Sequence, residues 1–180
     1  MTAPIIIEEY DPRWSEQYEQ LRSRIAAALG PIAVAIEHVG STAISGLAAK
    51  AIIDVDVILR SAADLPEAIV RLATLGYQHR GDLGVPGREA FRASCNEFPH
   101  HLYVHPPESR EYLRHITFRD YLRTHPEDAR TYERLKRILA IQHREDRESY
   151  NEAKSEFVEA ILRRAEEVRE HYPVAPRITS

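Results

Sequence analysis

The sequence predicts a mixed α/β (α+β) domain: a small mixed sheet with flanking helices, extended by helices at the C-terminal end. Three observations carry this. Between residues 32 and 59 two runs rich in apolar β-branched residues flank a Gly-Ser turn. Between 77 and 105 shorter alternating runs are separated by glycine-, proline- and asparagine-bearing segments. From 108 onward apolar residues recur at three- and four-residue spacing, the period of helices with one buried face.

In chain order, Ile5-Ile6-Ile7 reads as a short edge strand. Tyr10-Asp11-Pro12-Arg13-Trp14 is a turn. A helix follows from Ser15 to Leu29, because Trp14, Tyr18, Leu21, Ile25 and Ala28 make one apolar stripe, and Gly30-Pro31 stops it. Trp14 is assigned to the core. Residues 32–39 form the first central strand, with Val34, Ile36 and His38 on one face and Glu37 and Val39 on the other. Gly40-Ser41-Thr42 then turns the chain into a short helical piece. Gly40 permits close backbone approach to a ligand, and Ser41 offers a hydroxyl and an N–H at a helix start, where anions bind well.

The next strand carries Asp54-Val55-Asp56. Residues i and i+2 of a strand share a face, so Asp54 and Asp56 project together while Ile53, Val55 and Val57 point into a core. Paired carboxylates repel and are costly to bury, and a divalent cation relieves both problems. Mg2+ or Mn2+ held by one or two carboxylates and by substrate phosphates is the expected cofactor. Asp54 and Asp56 are therefore the candidate metal ligands and catalytic pair, with Gly40, Ser41 and Thr42 as the phosphate cradle. Lys50, just before this strand, either neutralises phosphate or is a solvated loop lysine. His38 and Glu37 are either cleft residues or ordinary strand-end polar groups.

A helix is predicted over 61–75, ended by Gly76, then a strand from Tyr77. The glycine-rich loop 81–88 ends in Arg88, a candidate phosphate clamp. Residues 89–94 and 100–105 form a hairpin around a tip at 95–99. On the returning strand His101, Tyr103 and His105 share one face and are the candidate wall of the same cleft; the imidazoles could alternatively bind zinc. Helices follow over 108–122, from His125-Pro126 with Thr124 as cap, and over 149–170. Lys136, Lys154, Arg119 and Arg123 either face the cleft or, as is commoner for such residues, lie on the surface, and the segment from 173 reads as a frayed tail beyond a single domain over 1–172.

With 180 residues, 43% hydrophobic and 29% charged, the chain is long enough for a proper core. A net charge of −4 argues against bulk nucleic-acid binding. No membrane-length apolar run is present, and the single cysteine, Cys95, fits a reducing cytoplasm.

The run Glu37-His38-Val39-Gly40-Ser41-Thr42, Gly46-Leu47-Ala48-Ala49-Lys50 and Ile53-Asp54 resembles the signature of the GrpB family, in the nucleotidyltransferase-like superfamily. That superfamily's pattern is Gly-Ser followed by Asp-x-Asp on the next strand. Tyr10 to Trp14, Phe118 to Arg123 and His125-Pro126 fit as well. Ala51 stands where the family usually has proline, and Tyr103 where it commonly has histidine. The resemblance implies a nucleotidyltransferase-like sheet, and a GrpB-like domain also occurs fused to dephospho-CoA kinases. Active nucleotidyltransferases usually carry a third carboxylate on a neighbouring strand, which the strands here do not offer cleanly. The expectation is a metal-dependent nucleotide-binding protein, with transfer to an unspecified acceptor open. The alternatives are a non-catalytic module for a nucleotide, a CoA-like metabolite or another phosphate-bearing small molecule, a histidine-site metal hydrolase, and a scaffold with a vestigial site.

Overall fold

The computed structural model describes residues 4–94 and 98–171, with side chains through Val168. Residues Cys95 to Glu97 of the hairpin tip expected at 95–99, and the tail from 173, lie outside the described residues.

Helix α1 (Arg13–Leu29) leads through a turn of 3-10 helix (Gly30–Ile32) into strand β1 (Ala33–Val39). A second 3-10 turn (Ser41–Ala43) and an irregular stretch connect to β2 (Ile53–Leu59). Then come α2 (Leu65–Ala73), β3 (Tyr77–His79), β4 (Glu89–Ala93) and β5 (His100–His105). Helices α3 (Arg110–Thr124), α4 (Pro126–Gln142) and α5 (Arg147–His171) complete the chain. The five strands lie in the order β1-β2-β5-β4-β3. Only the β2–β5 pair is parallel among these neighbours.

The two faces of the sheet are covered differently, and this creates the site. On one face Ile53, Val55, Val57, Leu102 and Val104 pack against the α1 stripe (Trp14, Tyr18, Leu21, Ile25, Leu29) and against Ala68 and Leu72 of α2. Full burial of each such large side chain is worth about 1.5–3 kcal/mol. The other face carries Asp54 and Asp56. Register sets Val39 and His101 beside Asp54, and Glu37 and Tyr103 beside Asp56. Over this polar face lie α3, α4 and α5, joined by a second apolar cluster that includes Ile44, Leu47, Phe118, Leu122, Tyr132 and Ile161.

Several expectations change. The strand expected over 32–39 is β1 (Ala33–Val39) and lies at the sheet edge, not at its centre. Ile5 to Ile7 add no strand: Ile5 packs against Leu139, Ala140 and Tyr150, and only Glu8 makes an isolated bridge, to Ala49. The helix expected over 61–75 is split into a 3-10 turn (Ala62–Asp64) and α2, with the Ser61 hydroxyl accepting from the Ala63 N–H at 3.2 Å. Thr124 does not cap α4; its hydroxyl donates back to the Asp120 and Tyr121 carbonyls of α3. The helical piece at Ser41 is a single 3-10 turn. It is too short for a helix dipole to hold an anion, so Ser41 must act through its own groups.

Candidate functional site

A cleft of about 560 Å³ opens between the carboxylate face of the sheet and α3–α5, within the range of small-molecule sites. Gly40, Ser41, Thr42, Lys50, Asp54, Arg88, His101 and Tyr103 line it, so most of the residues singled out from sequence do converge. The helices contribute Glu111, Arg114, His115, Tyr132, Lys136, Tyr150 and Lys154.

Asp54 lines it from β2. Its Oδ1 accepts from His101 Nδ1 at 2.8 Å. Gly40, at φ 69° and ψ −171°, passes so close to Oδ2 that any Cβ would collide with the carboxylate. That backbone region is essentially open to glycine alone and costs other residues about 1–3 kcal/mol. Gly40→Ala should therefore lower the unfolding free energy obtained from urea denaturation by this amount and displace the Asp54 carboxylate; a variant as stable as the parent contradicts the close approach.

Three lysines line the same cleft as Asp54. Lys136 is 2% exposed, donates to the Ala48 carbonyl, and has Nζ 4.8 Å from the Tyr132 ring centroid. Lys154 and Lys50 place Nζ 4.7 and 5.1 Å from the ring of Tyr150. Burial pulls Lys136 down to about 7, with Lys154, Arg137 and Lys50 adding repulsion and Glu133 opposing it. Burial also pulls Lys154 down to about 8, with Lys50 adding to the effect and Asp54 opposing it. Lys50 is lowered for the same leading reason. Cation–π contacts compensate partly; an anionic ligand would compensate far better. The surface assignment of Lys136 and Lys154 is thus corrected. The signal was present in the sequence: each lysine lies four residues after an aromatic residue on a buried stripe, Tyr132 and Tyr150.

Arg88 stacks over Tyr103, with its guanidinium carbon 4.5 Å from the ring centroid. Arg119 is buried and not a surface residue. It donates to Glu37 Oε2 at 2.7 Å and to the His38 carbonyl at 2.9 Å. Arg123 donates to the Ala43 carbonyl. Both arginines fasten the Gly-Ser turn to α3. Glu37 is spent on Arg119 and does not line the cleft. His38 lies on the opposite face of the sheet, stacked on Tyr18 with centroids 4.6 Å apart, and bonds Thr42 Oγ1 at 2.9 Å. Burial holds its pKa down to about 4, so it is neutral at physiological pH and braces the cradle from behind.

Asp54 and Asp56 project from one face yet have different surroundings. Asp56 is fully buried. Its Oδ2 accepts from His115 Nδ1 at 2.7 Å, and Oδ1 lies 3.3 Å from Nε2 of the equally buried His105. Burial alone would raise the Asp56 pKa, but the hydrogen bond and charge of His115 oppose it and the pKa is lowered. For His115 burial opposes charge, while bonds to Asp56 and Glu111 carry it up to about 9. The open two-carboxylate site expected from the sequence is therefore divided. Asp54 faces the cleft, whereas Asp56 and His105 sit behind its wall, against His115, which itself lines the cleft and which alternation along the strands does not reveal because it lies on α3, far along the chain.

The family model for GrpB protein matches residues 4–164. The chain belongs to the GrpB family. It is 35% identical over 149 residues to the UPF0157 protein YqkA of Bacillus subtilis, covering 83% of this chain but 43% of YqkA, so it spans less than half of that relative. The crystal structure of the conserved protein GrpB from Enterococcus faecalis matches with a TM-score of 0.82 and 33% identity, over 93% of this chain and 99% of that one. Cid1, solved in complex with the UTP analog UMPNPP, matches at a TM-score of 0.50 and 14% identity, covering 76% of this chain and 42% of Cid1. At that identity the similarity speaks for the fold alone, which is nucleotidyltransferase-like. Among the described residues of this GrpB-family chain no helix is long and apolar enough to cross a membrane.

Proposed function

We propose that the cleft binds a nucleotide through its phosphates together with a divalent cation. The observation that carries this is three lysines, the buried Lys136 and the half-buried Lys50 and Lys154, that line one cavity together with Asp54 and Ser41. Buried ammonium groups are costly unless a counter-charge arrives, and a polyphosphate supplies several negative oxygens. Asp54 fits a magnesium or manganese ion: a carboxylate that lines the cleft, oriented by His101 and set against a glycine turn that admits it only because Gly40 has no Cβ. Such an ion would neutralise phosphate charge. Ser41 would donate to a phosphate oxygen, the lysines would hold the remaining charge, and Arg88 and Tyr103 would close the rim. Cid1's complex with a UTP analog, on the same fold, agrees with this reading.

Nucleotidyl transfer is a second reading, favoured by Glu111, a further carboxylate on the cleft wall that the strand pattern did not contain. Pyrophosphate release from a nucleoside triphosphate, lost in Glu111→Gln, would support it. Saturable binding without turnover would leave a binding module.

A thermal-shift series against nucleotides, with and without Mg2+ or Mn2+, tests the binding reading. A ligand at a hundred times its Kd should stabilise the fold by about 2.7 kcal/mol. The metal-dependent part should vanish in Asp54→Asn; an unchanged response there contradicts Asp54 as the anchor.

The pH dependence follows from the lysines. Phosphate binds their charged forms, which are full only below their folded pKa values of about 7 and about 8. Affinity should fall as pH rises from 6 to 9, and calorimetry near pH 8 in buffers of different ionisation heats should show proton uptake. Stability runs the other way. Between about pH 7 and the unfolded lysine value near 10.5 the unfolded chain binds more protons, so the free protein should gain stability as pH rises. Affinity independent of pH, with no proton uptake, contradicts the assignment.

A further inference from the structure

Asp56, His105 and His115 offer three ligand atoms within 4.8 Å of one another, behind the cleft wall. Two of these atoms are unexplained by the protein's own bonding. Asp56 Oδ1 and His105 Nε2 are buried without a well-formed hydrogen bond, although they face each other at 3.3 Å. Both residues are fully buried.

The other side of the His105 ring shows why. Nδ1 lies 3.2 Å from the Gly87 carbonyl and 3.0 Å from Ser109 Oγ. The Ser109 hydroxyl already donates to Gly87 at 2.9 Å and so accepts from the ring. A carbonyl can only accept. One ring hydrogen therefore belongs on Nδ1, and in the neutral ring the lone pair of Nε2 points at a carboxylate oxygen: two acceptors, turned toward one another.

The spacing fits a shared cation. Zinc holds imidazole nitrogen and carboxylate oxygen at about 2.0–2.2 Å, and two such bonds at a tetrahedral angle put the donor atoms about 3.3–3.5 Å apart. A charge-assisted N–H···O bond would be nearer 2.7–2.9 Å. The surroundings fit as well. Metal-bound imidazoles usually give their second nitrogen to a carbonyl or carboxylate, which fixes the ring. His105 has Gly87 in that position, and His115 has Glu111, with Nε2 3.2 Å from Oε1.

We propose that Asp56 Oδ1, His105 Nε2 and His115 Nδ1 form a binding site for a zinc-class divalent cation, distinct from the oxygen-ligated ion placed at Asp54. Two imidazoles and one carboxylate select borderline metals over magnesium. On binding, the hydrogen bond from His115 Nδ1 to Asp56 Oδ2 is replaced by a bond from Nδ1 to the ion, and the Nδ1 proton leaves to solvent. Three protein ligands leave a fourth position, and His115 borders the cleft, so the ion is reached from there.

The test is titration of chelator-treated full-length protein with Co2+, which reports a four-coordinate site by its visible bands. One equivalent should bind, be displaced by Zn2+, and resist Mg2+. Glu111→Gln should weaken Co2+ binding about 10- to 100-fold, and His115→Gln should abolish the bands. His105→Ala should do the same; should that variant not fold, His115→Gln decides alone. Absence of the bands in the unaltered protein, or bands retained in His115→Gln, overturns the site. Asp54→Asn separates this proposal from the nucleotide reading: it should keep full Co2+ binding while losing metal-dependent nucleotide binding. Co2+ binding with no nucleotide response in the unaltered protein sustains the site and removes only the nucleotide reading.

Discussion

Replacing Asp56 by alanine should lower the stability of the fold by about 3–5 kcal/mol, the usual consequence of deleting one partner of a buried charge pair. Asp56 is fully buried, and its oxygens face His115 at 2.7 Å and His105 at 3.3 Å. Removing it strands two imidazoles beneath the sheet face, one of them charged at neutral pH, and leaves a cavity. For a chain of 150–250 residues each kcal/mol corresponds to about 2–4 °C in Tm, so the loss should be about 6–20 °C. Asp54→Ala should cost about 1 kcal/mol or less, because that side chain is 29% exposed and its partner His101 is 41% exposed. Thermal and urea unfolding of the two variants side by side make the comparison; equal losses would contradict the division of the acidic pair into a cleft residue and a buried one.

Lys136→Met and Lys154→Met should behave in the opposite sense. Each removes a charge that burial penalises, so each variant should match or exceed the parent protein in stability, Lys136→Met most clearly at pH 6, where the parent carries the full charge. Each should also lose nucleotide affinity. Hydrogen bonds to charged groups are worth about 1.5–3 kcal/mol, which is about 10- to 150-fold in Kd. A gain in stability with a loss of binding marks a residue kept for its ligand. Calorimetric titration and urea unfolding at pH 6 check both halves, and a variant that loses stability while retaining affinity would assign the lysine to the scaffold.

Much of this was legible in the sequence where the signal was local. The period of α1, the turn at Gly40 and the alternation through Asp54 and Asp56 follow from neighbouring residues, as does the shared face of His101, Tyr103 and His105. The edge position of β1 was not legible, since strand order depends on long-range pairing that alternation does not encode. Nor was the separation of Asp56 from Asp54, which depends on α3 bringing His115 across 59 positions of sequence to the Oδ2 atom. Lys136 and Lys154 are an intermediate case: their place on apolar stripes was visible, but lysine on a helix is so often exposed that the stripe was not read through it. Arg119 and Glu37 are hard to place from sequence for a related reason: local spacing leaves Glu37 open between cleft and solvent and makes Arg119 look exposed, until each is found 2.7 Å from the other.

The most direct test is a crystal structure of the full chain with a non-hydrolysable nucleoside triphosphate and Mn2+. The account predicts phosphate oxygens within hydrogen-bond reach, about 3 Å, of the Ser41 hydroxyl and the Lys136 and Lys154 ammonium groups, with anomalous density for manganese against Asp54. Phosphates seated instead in the smaller groove beside Leu47, Arg123 and Arg130, with the lysines unengaged, would contradict it.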